Sequence, residues 1–228
     1  MTISSTPDGV TVKPRHLRFD VRTELRTLWH GNDAFRTAFF NALSLQFPDG
    51  EQQFINAVRL YRDQITDPKL KEEIKGFIGQ EALHSREHKE YNEALKARGY
   101  DIDALDERFR KHMEWVGRLP PSRQLAGTCG AEHYTAVLAN AILSHPEWME
   151  GATPTMKRLW RWHAIEETEH KFCVVRNDGC FEWVLRSIEK YKDFLFKDLD
   201  VDAWEYFNSG FVILNKKHKP FIKEVLKW

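Results

Sequence analysis

Cysteine is scarce in this chain of 228 residues, and its three copies, Cys129, Cys173 and Cys180, form no Cys-x-x-Cys pair. An odd number of cysteines cannot all pair within one chain, and their spacing predicts no cysteine-based zinc site. We therefore expect reduced thiols and a cytoplasmic location. Any metal would have to be bound by His, Asp and Glu side chains.

An excess of charge of either sign is also absent, because 34 Lys and Arg balance 34 Asp and Glu. This balance argues against a broad basic surface for nucleic acid. No apolar run approaches the roughly 18 residues of a membrane-spanning helix, and residues 1–20 contain no apolar segment of signal-peptide length. We expect a soluble protein that binds neither nucleic acid nor membranes, and we interpret the basic run at 216–219 as an exposed helix start.

The strand pattern of alternating apolar and polar residues is missing as well, and helical spacing prevails instead. The predicted helices begin at Asn32 or Asp33, just after a Pro-Gly break at 47–50, at Pro68, at Pro120-Pro121-Ser122 and at Pro154. The third of them ends near Gly99. Two or three more occupy 180–228. These helices predict an all-α bundle, in which residues 1–28 form a surface arm and residues 29–228 a single domain.

Ionisable side chains interrupt the apolar faces of four of these helices. In the third helix Phe77, Glu81, His84, His88 and Tyr91 follow one another at spacings of 4, 3, 4 and 3 and share one face. The other helices contribute fewer such residues. They are Glu51 near the start of the second helix, Glu132 in the fourth, and His163, Glu167 and His170 in the fifth.

A buried, unpaired carboxylate costs several kcal/mol, so four of them need strong compensation. Two divalent cations would neutralise four carboxylates. One carboxylate on each of two helices and Glu-x-x-His on each of two others is the ligand set of di-iron and di-manganese bundles. We predict such a dinuclear centre, with Glu51, Glu81, His84, Glu132, Glu167 and His170 as ligands.

Simpler interpretations exist for some of these residues. Glu51 fits a first-turn carboxylate that interacts favourably with the helix dipole. Glu132 fits a core acid satisfied by His133 or by a neighbouring helix. His88 is expected near the ligands or in a pocket wall rather than among the ligands, whereas Glu166 and Glu169 are expected on a solvated face.

The residues Phe47-Pro48-x-Gly50-Glu51 and Gln80-Glu81-x-x-His84 resemble a ferritin-like family described as predicted metal-dependent hydrolases. The resemblance extends roughly from Trp29 to the aromatic C-terminal region and implies a ferritin-like bundle with additional C-terminal helices. The ligand pattern His163-x-x-x-Glu167-x-x-His170 is similar to that of p-aminobenzoate N-oxygenase and related arylamine oxygenases. This second resemblance implies that His163 is a seventh ligand.

We expect a di-iron oxidase or oxygenase, with manganese as a possible alternative metal, since a mixed carboxylate and imidazole site suits both metals. Its partners would be a small, fairly apolar substrate, O₂ and an external reductant. Phe54, Phe77 and Trp160 would line a dry pocket, and His88 and Tyr91 would serve proton transfer. The alternatives are a binuclear metal-dependent hydrolase and a metal-storage protein. The aromatic residues of the C-terminal region could dock a second subunit to form a homodimer.

Overall fold

The computed structural model describes residues 4, 6, 9–25 and 28–173. Within these residues all regular elements are helical except for one isolated bridge between His30 and Ala152. The α-helices are α1 (Val21–Glu24), α2 (Ala34–Arg59), α3 (Pro68–Lys96), α4 (Ile102–Gly117), α5 (Pro121–Ser144) and α6 (Pro154–Cys173), and two 3-10 turns cover Arg62–Gln64 and Pro146–Met149.

The all-α bundle is thus confirmed, whereas its ferritin-like arrangement and the boundary at residue 28 stay predictions. The predicted helices over 180–228, Cys180 and the basic run at 216–219 lie outside the described residues. None of the described helices is long and apolar enough to cross a membrane.

Local sequence signals set the helix starts. The Asp33 side chain accepts a hydrogen bond from the Arg36 backbone N–H at 2.9 Å, and Asp67 does the same for Lys69 at 2.9 Å. Proline is the first residue of α3, α5 and α6, where its missing N–H costs no helical hydrogen bond. The predicted starts of these helices are therefore confirmed.

The predicted break at 47–50 is wrong, because α2 continues through Pro48. A proline inside a helix leaves the carbonyl four residues earlier without its usual donor, at a cost of about 3 kcal/mol. Here that carbonyl belongs to Ser44, and it accepts a hydrogen bond from Asn92 Nδ2 at 3.0 Å instead. A side chain of α3 thus satisfies the group that Pro48 leaves open, and Glu51 lies in the middle of a helix rather than at its start.

Helix α4 was not predicted. Of its 16 residues only Ile102 is buried, and Leu105 and Trp115 are both more than half exposed. The helix begins with the Asp101 side chain accepting from the Ala104 N–H, and it packs mainly against α2. Ile102, Phe109, Met113 and Val116 nevertheless recur at helical spacing, so the sequence carried a signal for this helix that the prediction overlooked.

Helices α2, α3, α5 and α6 form the core of the bundle, in which α2 lies beside α3 and α5, and α6 lies beside the same two helices. Two hydrophobic clusters fill this core. One is built around residues such as Phe40, Tyr91 and Trp160, and the other around Val58, Ile74 and Phe77. In α2, α3 and α5 the polar residues lie between the segments that enter the two clusters, so a polar layer separates them.

Candidate metal centre

Seven ionisable side chains from four helices meet in this polar layer. Their ligand atoms form three overlapping groups, each with all atoms within 4.8 Å of one another. The groups are Glu51 with His84 and His163, Glu81 with His84 and Glu167, and Glu81 with Glu132 and His170. Each of the seven residues is at most 4% exposed. The structure therefore brings together all seven residues that the sequence predicts as ligands, while their binding of metal stays a prediction.

Several of the atoms that face this layer have no hydrogen-bond partner. Within the described part of the chain, both carboxylate oxygens of Glu51 and of Glu81, and Oε1 of Glu132, are buried and have no hydrogen bond, although Glu81 Oε1 lies 3.1 Å from His170 Nδ1. The same holds for Nδ1 of His84 and Nε2 of His163. Native proteins rarely leave buried polar atoms unsatisfied, because each costs about 1–3 kcal/mol. Carboxylate oxygens and imidazole nitrogens that converge in this way fit a pair of divalent transition-metal ions.

In the absence of metal, protonation of some carboxyl groups and the positive charge of some imidazoles reduce the negative charge of the four glutamates. Burial raises the pKa of Glu51, Glu81 and Glu132, since a charged carboxylate is poorly solvated here. Burial would also raise the pKa of Glu167, but the neighbouring histidines, His170 foremost, hold it well below its usual range.

The imidazoles divide into two classes. Burial lowers the pKa of His84, but the hydrogen bond to Glu166 and the nearby carboxylate of Glu167 outweigh that effect and raise the pKa to about 9. The pKa of His170 is likewise raised against burial, by Glu132 and the other nearby carboxylates. Burial and the charge of His84 lower the pKa of His163 to about 4, because they outweigh the opposing effect of Glu167.

Two of the histidines are held through the ring nitrogen that points away from the cluster. His84 Nε2 lies 3.0 Å from Glu166 Oε2, and His170 Nε2 lies 3.2 Å from Gln80 Oε1. A proton on each Nε2 would be donated to these oxygens, which leaves Nδ1 directed at the carboxylates. Hydrogen bonds of this kind fix the tautomer and orientation of metal-binding histidines.

The expectation that Glu166 and Glu169 lie on a solvated face is therefore wrong. Glu166 is fully buried, and Glu169 accepts hydrogen bonds from Gln80 and Arg15. Their surface is covered by the N-terminal segment around Arg15, which lies more than 150 residues earlier in the chain. Helical spacing shows which residues share a face, but not which faces a distant segment will cover.

His163 is held by a different chain of polar groups. Its Nδ1 lies 2.9 Å from His88 Nε2, and His88 Nδ1 lies 2.9 Å from Ser44 Oγ. Ser44 Oγ donates in turn to Asn92 Oδ1 at 2.8 Å. Burial lowers the pKa of His88 well below its usual range, so this ring is neutral. His88 is thus one hydrogen bond away from the cluster rather than part of it, and its proposed role in proton transfer stays a prediction.

Tyr91 is not brought into the cluster. Its hydroxyl donates to Asn41 Oδ1 at 2.7 Å, and the same oxygen accepts from Trp29 Nε1 at 2.9 Å. The ring of Tyr91 lies 6.1 Å from that of His88. The hydroxyl is therefore engaged in the aromatic cluster, and nothing in this geometry links it to the ligands directly.

Aromatic rings surround the histidines. The ring of Phe77 lies 4.7 Å from that of His170, and Trp160 lies 5.2 Å from His88. Phe47 stacks on His163 at 4.6 Å and 27°, and it was not predicted as part of the site. Its position one helical turn before Glu51 is the signal that would have found it, but the supposed break at 47–50 obscured that signal.

Phe54, the remaining predicted wall residue, is only partly buried and packs against the second hydrophobic cluster. An additional ring, Trp162, meets His84 edge-on at 4.9 Å and was also missed. The walls of the centre are thus more aromatic on the side of α6 than the sequence predicted.

Comparison with protein families gives a match over residues 13–176 to a family described as "Predicted metal-dependent hydrolase". The matched region includes all seven residues of the cluster and the segment around Arg15. Comparison with curated proteins and with solved structures gives no match.

Proposed function

Because this chain belongs to the family of predicted metal-dependent hydrolases, we propose that its buried cluster binds two divalent metal ions and catalyses the hydrolysis of a small-molecule substrate. The observation that carries the proposal is the convergence of buried carboxylate oxygens and imidazole nitrogens, several of which have no hydrogen bond from the described residues. The family description supports hydrolysis as the type of reaction.

Charge balance favours two metal ions rather than one. Glu51, Glu81, Glu132 and Glu167 carry four negative charges when ionised, and the histidines add none when neutral. Two divalent ions cancel those charges, whereas one would leave two carboxylates uncompensated in a buried layer. Glu81 belongs to two of the three ligand groups, as does His84, so these residues lie where two neighbouring ions would be closest.

A pair of bound divalent ions supplies an activated water at neutral pH and polarises the bond to be cleaved. The protein's own contribution is to hold the ligands and to exclude water. Glu166 and Gln80 orient His84 and His170, and His88 orients His163. The rings of Phe47, Phe77 and Trp160 form an apolar surround that favours a small, fairly apolar substrate.

Oxidation of such a substrate by O₂ at a di-iron centre, with electrons from an external reductant, is the second candidate function. One specific observation favours it: His163 brings a third imidazole to the cluster, although four carboxylates already balance the charge of two divalent ions. Its spacing to Glu167 and His170 is the one that resembles arylamine oxygenases. Iron is the metal expected for this candidate, with manganese as the alternative.

The two candidates are separated by loading metal-free protein with Mn²⁺, Zn²⁺ or Fe²⁺ under anaerobic conditions. Hydrolysis of model esters or phosphoesters without O₂ would support the first. O₂ consumption by the Fe²⁺ form, with an absorbance change and no hydrolysis, would support the second and overturn the first.

A matched pair of variants controls these assays. Glu132→Gln removes a buried carboxylate of the cluster and should abolish the activity, whereas Glu90→Gln changes an exposed carboxylate of α3 and should not. Size-exclusion chromatography tests the third possibility, metal storage, because a monomer or dimer cannot form a storage cage. Protein that binds no metal would contradict all three functions.

A further inference from the structure

An N-terminal strap, defined here as residues 12–15, lies against α3 and α6 beside the cluster. The carbonyl oxygen of Lys13 accepts a hydrogen bond from Gln80 Nε2 at 3.3 Å. The backbone N–H of Arg15 donates to Glu166 Oε1 at 2.8 Å. The Arg15 guanidinium also donates to Glu166 and to Glu169.

The groups that the strap contacts are the same groups that hold two of the predicted ligands. Glu166 accepts from the Arg15 backbone through one oxygen and faces His84 Nε2 with the other. Gln80 donates to the strap and to Glu169 through Nε2, and its Oε1 faces His170 Nε2. Two independent paths of hydrogen bonds thus lead from the strap to two imidazoles.

Two glycines of α3 make room for this approach. A Cβ atom at Gly76 would collide with the backbone oxygen of Val12, and a Cβ atom at Gly79 would lie 2.5 Å from Pro14 Cγ. Val12 itself is buried in the second hydrophobic cluster. The strap therefore occupies a groove that any larger residue at position 76 would close.

We propose that docking of the strap is coupled to metal binding, with Arg15 as a positioning residue that acts on His84 and His170 through Glu166, Glu169 and Gln80. This inference rests on the metal centre of the proposed function. A metal that binds Nδ1 of both rings requires the proton on each Nε2, and that proton needs a fixed acceptor. Arg15 holds the Glu166 carboxylate in place through its backbone N–H and its guanidinium, and the strap fixes the Gln80 amide with its oxygen towards His170.

The coupling must be reciprocal, because the factor by which the docked strap tightens metal binding is also the factor by which metal stabilises the docked strap. Partners that orient metal-binding histidines typically change metal affinity by about 10- to 100-fold. We therefore expect metal to slow hydrogen exchange of the Arg15 backbone N–H by a comparable factor.

The first test is hydrogen exchange of the segment 9–25, measured by mass spectrometry with and without Mn²⁺, together with Mn²⁺ affinity from competition with a chelator. In the wild-type protein, Mn²⁺ should protect the strap. Gly76→Ala should release the strap and weaken Mn²⁺ binding by about 10- to 100-fold. Gly127→Ala is the matched control, because a Cβ atom there meets nothing within 4 Å, and it should change neither quantity.

A second pair of variants leaves the helices untouched. Arg15→Gln should weaken Mn²⁺ binding and Arg15→Lys should restore part of the loss. Arg22→Gln should have no effect, since among the described residues Arg22 pairs with the exposed Glu90 and not with the cluster. If wild-type protein binds Mn²⁺ but Gly76→Ala and Arg15→Gln bind it equally well, the coupling is refuted and the centre stands. If the wild-type protein binds no Mn²⁺, Fe²⁺ or Zn²⁺, the proposed function fails and the coupling with it.

Discussion

Glu51 offers a test in which the loss of metal binding and a gain in stability are expected from one substitution. Glu51 is buried, both of its oxygens lack a hydrogen-bond partner, and burial raises its pKa well above the usual range. In metal-free protein this carboxyl therefore only costs free energy. We predict that Glu51→Leu stabilises the metal-free protein and removes much of the stabilisation that metal gives.

The magnitude follows from the absence of partners. A buried polar group without a hydrogen bond costs about 1–3 kcal/mol, and a leucine of similar volume removes that cost. For a chain of this size, 1 kcal/mol corresponds to about 2–4 °C in the melting temperature. Metal at a hundredfold excess over its dissociation constant adds about 2.7 kcal/mol to the wild-type protein. The variant lacks one ligand and should lose most of that gain.

Glu87 provides the matched control, because it is an equally buried carboxylate with partners. It accepts hydrogen bonds from the Phe19 backbone N–H at 3.1 Å, from Arg18 at 3.2 Å and from Arg86 at 2.7 Å. Glu87→Leu should therefore lower the melting temperature with or without metal. Calorimetry of both variants with and without Mn²⁺ is the assay. If Glu51→Leu destabilises the metal-free protein as much as Glu87→Leu does, Glu51 has a structural partner and our account of it is wrong.

Three further predictions concern the histidines. His88→Ala should keep most of the metal in elemental analysis but lower turnover, whereas His84→Ala should lose metal; equal losses in the two variants would make His88 a ligand. His163→Ala should still fold and bind about two metals. If the second candidate function holds, its reduced iron form should react with O₂ on a different time course from the wild type in stopped-flow absorbance, and an identical reaction would make His163 a core residue. Stabilisation by metal should increase between about pH 6.5 and 9. The pKa of His84 is raised from 6.5 to about 9 in the folded protein, so the stability that its protonation gives to the metal-free protein is lost over that range. Metal binding requires the deprotonated ring and therefore gains over the same range. Melting temperatures with and without Mn²⁺ across this range check the last prediction, and a metal effect that is independent of pH would contradict it.

The cluster could be predicted from the sequence because its residues on α3 and on α6 follow one another at spacings of three and four residues. Glu81 and His84, or Glu167 and His170, fall on one face whatever surrounds the helix. Those faces are otherwise apolar, so they had to be buried, and burial of several acids required compensation. The local pattern therefore predicted six of the clustered residues, and the resemblance to arylamine oxygenases added His163.

The features that sequence reasoning missed depend on contacts between distant residues. Helix α2 passes Pro48 because Asn92 of α3 satisfies the Ser44 carbonyl, and nothing near Pro48 in sequence indicates this. Glu166 is buried because a segment near residue 15 covers it. Helix α4 is a different case, because its apolar residues Ile102, Phe109, Met113 and Val116 recur at helical spacing and would have allowed its prediction.

The central claim is that the polar layer holds two metal ions, and elemental analysis of the purified protein tests it most directly. Metal-free protein should be reloaded with Fe²⁺, Mn²⁺ or Zn²⁺, freed of excess metal, and measured beside variants that lack either Glu-x-x-His pair. Our account predicts about two tightly bound ions per chain in the wild-type protein and loss of metal in both variants. One ion or none per chain in a fully helical wild-type protein would contradict it.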